Sequence, residues 1–204
     1  MTWPARGSAT RLILVRHTEP AEQADGLCYG SLDVPLSESG RAHAERLALR
    51  LADQDASLVL SSPRARALDT AAPIARQHEL PVTWVDALRE LDFGELEGRT
   101  YQEIEASLPD LWAAWMTRPT EVRFPGGESY RDLRARVSQA IDDVRRSRPG
   151  QTIIVVAHGG VTRAALAATL GMPDHNIFRL DQRYGAINII DWFDDTPVVR
   201  AINS

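Results

Sequence analysis

The sequence predicts an α/β fold, a three-layer sandwich with a mostly parallel, twisted sheet and helices on both faces. Three observations point there. Short apolar runs alternate with helical patterns along the whole chain. Two of those runs, LILVRHTEP (12–20) and TIIVVAHGG (152–160), drive straight into a histidine. The length, 204 residues with 44% hydrophobic and 25% charged, suits one substantial core.

Taking the elements in order, the apolar runs at 12–15, 57–60, 82–85, 153–157 and 186–192 read as buried strands, and 198–202 as an added edge strand. Residues 37–52 carry Ala44, Leu47, Ala48 and Leu51 on one helical face. Ser62 and Pro63 read as the N-cap and first position of a helix ending near Gln77. Ser129 with Asp132 forms a capping box for a longer helix bearing Leu133, Val137, Ala140, Ile141 and Val144, stopped by Pro149-Gly150. A last helix follows Gly160 and ends near Leu170-Gly171. Thr100 and Glu103 can cap another helix, but Pro109, Pro119 and Pro125 break that region up. Residues 100–125 therefore read as a helical insertion over the sheet. Residues 1–10 read as a loose tail and 11–204 as a single domain.

Composition narrows the class. A net charge of −5, from 23 basic and 28 acidic residues, argues against bulk nucleic-acid binding. The lone cysteine, Cys28, has no disulfide partner and belongs to no zinc-binding cluster, which suits a reducing compartment. The first ten residues lack the apolar centre of a signal peptide, and no apolar run reaches the roughly 18 residues of a membrane span. The expectation is a cytoplasmic protein without membrane or nucleic-acid partners. The sequence does not distinguish a monomer from a homodimer.

Parallel sheets bind ligands at the carboxyl ends of their strands. There the sequence collects Arg16-His17, the run from Ser61 to Arg66, His158-Gly159-Gly160 and, beyond the strand at 82–85, Glu90. Arginine forks grip phosphate oxygens. A helix starting at Pro63 or Gly160 aims free N–H groups at an anion. A neutral histidine can attack phosphorus, and a carboxyl group can protonate the leaving alkoxide. Each part alone has a plain structural reading; the functional reading rests on their conjunction. His43, His78 and His175 read as surface residues, and Glu95 and Glu97 as solvated charges. Cys28 reads as small buried filler, although its loop faces the expected rim.

Four blocks in order, LVRHT, SSPRARALDTA, LRELDFGELEG and VVAHGGVTRAAL, resemble the histidine phosphatase superfamily, whose fold is phosphoglycerate mutase-like. The resemblance spans residues 11–193. It implies that His17 becomes phosphohistidine, that Arg16, Arg66 and His158 hold the phosphoryl group with an amide of Gly159 or Gly160, and that Glu90 acts first as acid, then as base. It implies neither a metal nor another cofactor. Arg64 is the competing arginine; the family spacing selects Arg66. His17 must be neutral at its attacking nitrogen, with the other nitrogen donating to a backbone carbonyl that the sequence does not identify.

Two positions depart from the commoner pattern. Thr18 stands where glycine is usual, and a β-branched residue predicts negative φ there. Gln23 stands where many members have a pocket asparagine. The segment RHTEPAEQADGLCYGSLDVPLSESG resembles the α-ribazole phosphatases of cobalamin biosynthesis, which makes Thr18, Gln23, Cys28 and Tyr29 candidate substrate contacts. The implied reaction is hydrolysis of α-ribazole 5′-phosphate or adenosylcobalamin 5′-phosphate. The alternatives are a broad-specificity or sugar-phosphate phosphatase of the same fold, and a non-catalytic phospho-ligand sensor, which would not need both His17 and Glu90. A mutase is disfavoured by chain length, and a dinucleotide-binding domain by the absence of a glycine-rich loop after the first strand. Trp112 and Trp115, three residues apart, suit packing of the insertion better than stacking on a substrate base.

Overall fold

The computed structural model describes residues 9–204; most of the tail expected at 1–10 lies outside the described residues. Thr10, assigned to that tail from sequence, instead opens the first strand and is buried.

Six strands form one sheet: β1 (Thr10–Arg16), β2 (Ala56–Ser61), β3 (Val82–Trp84), β4 (Thr152–Ala157), β5 (Ile187–Phe193) and β6 (Thr196–Ala201). The order is β3-β2-β4-β1-β5-β6. The pairs β2–β3, β2–β4 and β1–β4 are parallel, while β5 and β6 add antiparallel ribbons at one side. The helices are α1 (Glu38–Leu51), α2 (Ala65–Gln77), α3 (Tyr101–Ser107), α4 (Pro109–Thr117), α5 (Tyr130–Ser147) and α6 (Gly159–Thr169).

The period-2 alternation of strand side chains builds two cores. Leu12, Leu14, Ile153 and Val155 face α5 and α6 through Leu133, Val137 and Leu166. Ile13, Val15, Ile154 and Val156 face α1 and α2 through Leu47, Ala71 and Ile74. Both faces of the central strands are buried, which is why they read as unbroken apolar runs.

Both capping boxes form. Ser129 Oγ accepts from Asp132 N while the Asp132 carboxylate accepts from Ser129 N, and Thr100 and Glu103 do the same at α3. The insertion is two short helices, with Pro109 at the first turn of α4 rather than breaking it. Trp112 and Trp115 pack against a small core of Cys28, Leu96, Ile104, Val122 and Phe124.

One helix start differs from the sequence reading. Helix α2 begins at Ala65, not Pro63, and its N-cap Arg64 supplies no side-chain cap. Asp33 Oδ1, from a remote loop, accepts from Ala65 N at 2.7 Å. The cap is thus tertiary, and Ser62 is released for another partner. Helix α6 also starts one residue early, at Gly159, with His158 as N-cap. Of the histidines assigned to the surface, His175 is exposed, whereas His43 and His78 are half-buried. Gly185 presses on the His43 ring: a Cβ there would lie 2.4 Å from it.

Leu14 is fully buried and Leu49 is 70% exposed. Leu14→Ala is expected to lower unfolding stability by about 2–5 kcal/mol. Leu49→Ala is expected to change it by no more than about 0.5 kcal/mol. Urea unfolding checks both.

Candidate active site

The sheet register builds the centre. Arg16 pairs with Ala157, so the next residues, His17 and His158, emerge side by side at the carboxyl ends of β1 and β4. His17 N donates to Ala157 O at 2.8 Å, and the two rings meet edge to face at 5.2 Å. Ser62 follows β2, and its hydroxyl lies 2.7 Å from His158 Nε2.

Both histidines are buried. His17 is held well below the ordinary histidine range, first by burial and then by the cations of Arg66 and Arg16. The same causes, in the same order, depress His158, with His17 and Arg64 adding to them. A neutral His17 carries its proton on Nδ1, which sits 2.7 Å from Thr18 O. The carbonyl left unidentified by the sequence is therefore that of Thr18, and Nε2 keeps its lone pair for attack.

Thr18 is buried and is not among the residues with positive φ, as its β-branching predicts. Its side chain does not reach the cavity. Thr18 N and Oγ1 lie 3.1 and 3.2 Å from Thr70 Oγ1, which donates to Arg66 O at 2.8 Å. Thr18 thus ties the His17 loop to the helix that bears Arg66, and the expectation of a substrate contact is corrected.

Arg66 is fully buried. Its guanidinium donates to Gly30 O at 2.7 Å and Leu32 O at 2.8 Å. Arg16 donates to Gln182 O and lies 4.1 Å under the Tyr184 ring. Arg16 Nε, Arg66 Nε and His158 Nδ1 are buried without a partner in the protein. Three donor-capable nitrogens left unpaired on residues beside His17 fit a phosphoryl group, whose oxygens accept in several directions. Gly159 opens α6 beside them; a Cβ there would stand 3.4 Å from the Arg16 guanidinium carbon. Its amide belongs to the first helical turn, which lacks intrahelical partners.

Glu90 completes the group. Gly160 N donates to Oε2 and Leu91 N to Oε1, both at 2.9 Å. The amide of Gly160 is therefore engaged by Glu90. A Cβ at Gly160 would come within 2.3 Å of Oε1, so glycine is required for this approach.

Arg16, His17, Arg66 and Glu90 line one cavity of about 320 Å3, roofed by Tyr29, Tyr101 and Tyr184. The Tyr29 and Tyr184 hydroxyls meet at 3.2 Å, and Tyr29 lies over Arg66. A second, apolar cavity of about 210 Å3 adjoins it, lined by Leu91, Phe93, Trp115, Tyr130, Ile177 and Phe178 among others. Glu90 and Phe93 line both.

Two more expected contacts are corrected. Cys28 is buried in the small core under the insertion, where burial pushes its thiol up to about 12. Gln23 is exposed on a short 3-10 turn, Glu22–Ala24, and lines neither cavity. Glu97, read as a solvated charge, instead accepts four backbone amides, from Gly30, Ser31, Leu32 and Phe93.

Tyr184 and Arg163 are additions the sequence reading missed. Arg163 Nε donates to Leu180 O, and its guanidinium is lowered by burial and by Arg16. The available signal was its place one turn into α6, on the helix that His158 opens. Among the described residues, no three His, Cys, Asp or Glu side chains cluster as a metal site.

The chain is similar to known phosphatases. The chain is 36% identical to phosphoserine phosphatase 1 of Hydrogenobacter thermophilus over 162 residues, 79% of this chain and 77% of that one. It is 31% identical to the adenosylcobalamin/alpha-ribazole phosphatase of Escherichia coli over 196 residues, 95% and 96% of the two chains. The structure of mycobacterial glucosyl-3-phosphoglycerate phosphatase superposes with a TM-score of 0.87 at 29% identity, covering 96% of this chain and 99% of that one. The model of the histidine phosphatase superfamily (branch 1) matches residues 12–204, and the chain belongs to that superfamily.

Proposed function

We propose that the protein hydrolyses phosphomonoesters through a phosphohistidine on His17, and that its substrate is α-ribazole 5′-phosphate or adenosylcobalamin 5′-phosphate. The observation that carries the reading is the position of Glu90. It stands in the wall shared by the cationic cavity and the apolar slot.

The phosphate dianion enters between Arg16 and Arg66, whose unpaired Nε groups and His158 take its oxygens. His17 Nε2 forms the N–P bond as the ester P–O bond breaks. Glu90 delivers its proton to the leaving alkoxide; each carboxyl oxygen accepts one amide and keeps a lone pair for that proton. Water then attacks phosphorus, Glu90 takes the water proton, and the N–P bond breaks to release phosphate and neutral His17.

The leaving group lies on the Glu90 side, against the apolar slot. Its walls suit a flat, weakly polar group such as a benzimidazole. Phe178 is 60% exposed at its edge, with the Arg163 guanidinium 5.6 Å from its ring centre. Trp115 serves both readings considered from sequence: it packs the insertion through Phe93 and Phe124, and its remaining surface faces the slot. A phosphoserine leaving group would bring an ammonium and a carboxylate against this wall, where Arg163 is the one side-chain cation.

Phosphate release from α-ribazole 5′-phosphate, phosphoserine, glucosyl-3-phosphoglycerate and glycerol phosphate separates the substrates. The expected preference is for α-ribazole 5′-phosphate, with Phe178→Ala raising its KM roughly 3- to 10-fold and leaving that of glycerol phosphate unchanged. Preference for phosphoserine would keep the histidine mechanism and discard this substrate. His17→Ala is expected to abolish turnover, which EDTA leaves intact. Glu90→Gln is expected to lower kcat by about 10²–10⁴ while changing inhibition by inorganic phosphate little.

The depressed histidines give a pH signature. The unfolded chain protonates His17 and His158 near pH 6.5, whereas the folded chain does so only well below that. The stability these two groups contribute is complete above pH 6.5 and falls as the pH drops toward the folded values. The thermal midpoint should decline between pH 6.5 and 5, less in His17→Gln. Phosphohistidine formation should lose activity below about pH 6 only through protonation of the substrate dianion, with no added loss from His17, which stays neutral there.

A further inference from the structure

Glu97 has no place in the reaction above, yet its carboxylate is among the most heavily hydrogen-bonded in the molecule. Oε1 accepts from Ser31 N at 2.8 Å and Phe93 N at 3.0 Å; Oε2 accepts from Gly30 N at 2.9 Å and Leu32 N at 3.0 Å. Three of these amides belong to one loop, residues 30–32. The carbonyls of that loop face the other way: Gly30 O and Leu32 O receive the two terminal nitrogens of Arg66.

The Gly30–Ser31 peptide joins the two charges directly. Its carbonyl accepts from Arg66 Nη2 at 2.7 Å, and its N–H donates to Glu97 Oε1 at 2.8 Å. A peptide dipole aligned between a carboxylate and a guanidinium strengthens both hydrogen bonds. The carboxylate thereby balances a buried cation without touching it. A direct ion pair would occupy the guanidinium donors and compete with an incoming anion. The loop packs closely against the neighbouring backbone: a Cβ at Gly30 would fall 1.8 Å from Leu91 O.

We propose that Glu97 is the positioning residue for Arg66. Its carboxylate locks the loop 30–32 so that the loop carbonyls hold the guanidinium by its two ends and turn Nε toward the phosphoryl group. The inference rests on Arg66 as a phosphate ligand, and it adds a residue outside the cavity on which that role depends.

The test is a double-mutant cycle between Glu97→Gln and Arg66→Gln, read as the inhibition constant of inorganic phosphate and as kcat/KM on glycerol phosphate. A glutamine at 97 turns an N–H donor toward backbone donors and releases the loop. Glu97→Gln is expected to weaken phosphate inhibition roughly tenfold, and by up to about 100-fold if the guanidinium shifts by an ångström. In the Arg66→Gln background the same change should have no further effect. Should Glu97→Gln fail to fold, Glu97→Asp, with the charge kept and the reach shortened, enters the same cycle with the same non-additivity expected. Full additivity of the two substitutions, or an unchanged phosphate constant in the Glu97 variant, overturns the proposal. An unchanged constant in Arg66→Gln overturns instead the role given to Arg66.

Discussion

The constraint on which this site depends is a guanidinium buried at the cavity wall and out of contact with any carboxylate. Burying an unpaired charge costs several kcal/mol unless dipoles replace its hydration. At Arg66 those dipoles are two loop carbonyls. Arg16 is treated alike, donating to Gln182 O. Among the described residues neither arginine forms an ion pair, whereas arginines elsewhere, such as Arg11 with Asp191 and Arg136 with Glu128, do. The difference has a chemical use. Carbonyls stabilise a cation without neutralising it, so its field stays available to a phosphate dianion. Burial, and then the same field, hold both histidines well below their ordinary range, which suits the role proposed for His17.

Such an arrangement has to be imposed by the scaffold. Two supports do it on opposite sides of the cavity. On one, Glu97 clamps the loop whose carbonyls hold Arg66. On the other, the side-chain amides of Gln182 and Asn188 hydrogen-bond reciprocally at 2.9 and 2.8 Å, both buried, and fix the segment that offers Gln182 O to Arg16 and Leu180 O to Arg163. Glu90 has its own frame. Arg136 donates to the carbonyls of Ala87, Arg89 and Glu90, while its other partner, Glu128, accepts from Asp92 N. Each reactive group therefore leans on a satisfied polar network one step further from the substrate.

What the sequence made legible follows from how local each signal is. Apolar runs and capping boxes are written within a few residues, so the strands, α3 and α5 were readable. The meeting of His17 and His158 was readable too, since two parallel strands ending in histidine deliver them to one rim. The start of α2 was not, because its cap is Asp33, some thirty residues away in sequence. Glu97 looked like a surface charge between glycines, because its partners are backbone amides and leave no trace in side-chain pattern. Cys28 and Gln23 carried motif-level likeness but face a core and solvent respectively. Tyr184 was missed for a topological reason. The rule about carboxyl ends applies to parallel strands, but β5 is antiparallel to β1, so it is the segment entering β5 that reaches the rim. Gly185 N donates to His17 O, and Arg16 N to Ala186 O, which places Tyr184 over the site.

This topology also separates the parts that do chemistry from the parts that select substrate. The proposed phosphate grip stands on β1 and β4, strands buried on both faces, and on the buried side of α2, all intolerant of displacement. The slot beyond Glu90 is walled in part by the insertion, through Trp115, Pro119 and Thr120, and by the 3-10 segment Asp174–Arg179, through Ile177 and Phe178. Neither wall lies in the sheet or carries the reactive groups, so their side chains can change without moving His17 or Arg66. Such a division is a physical reason for similar chains to carry names as different as phosphoserine, α-ribazole and glucosyl-3-phosphoglycerate phosphatase. On the proposed reading, substrate identity in this chain rests on the few residues facing Glu90 from outside the sheet. Its aromatic and aliphatic wall, with Arg163 its single side-chain cation among the described residues, bears on the proposed leaving group rather than on the phosphate.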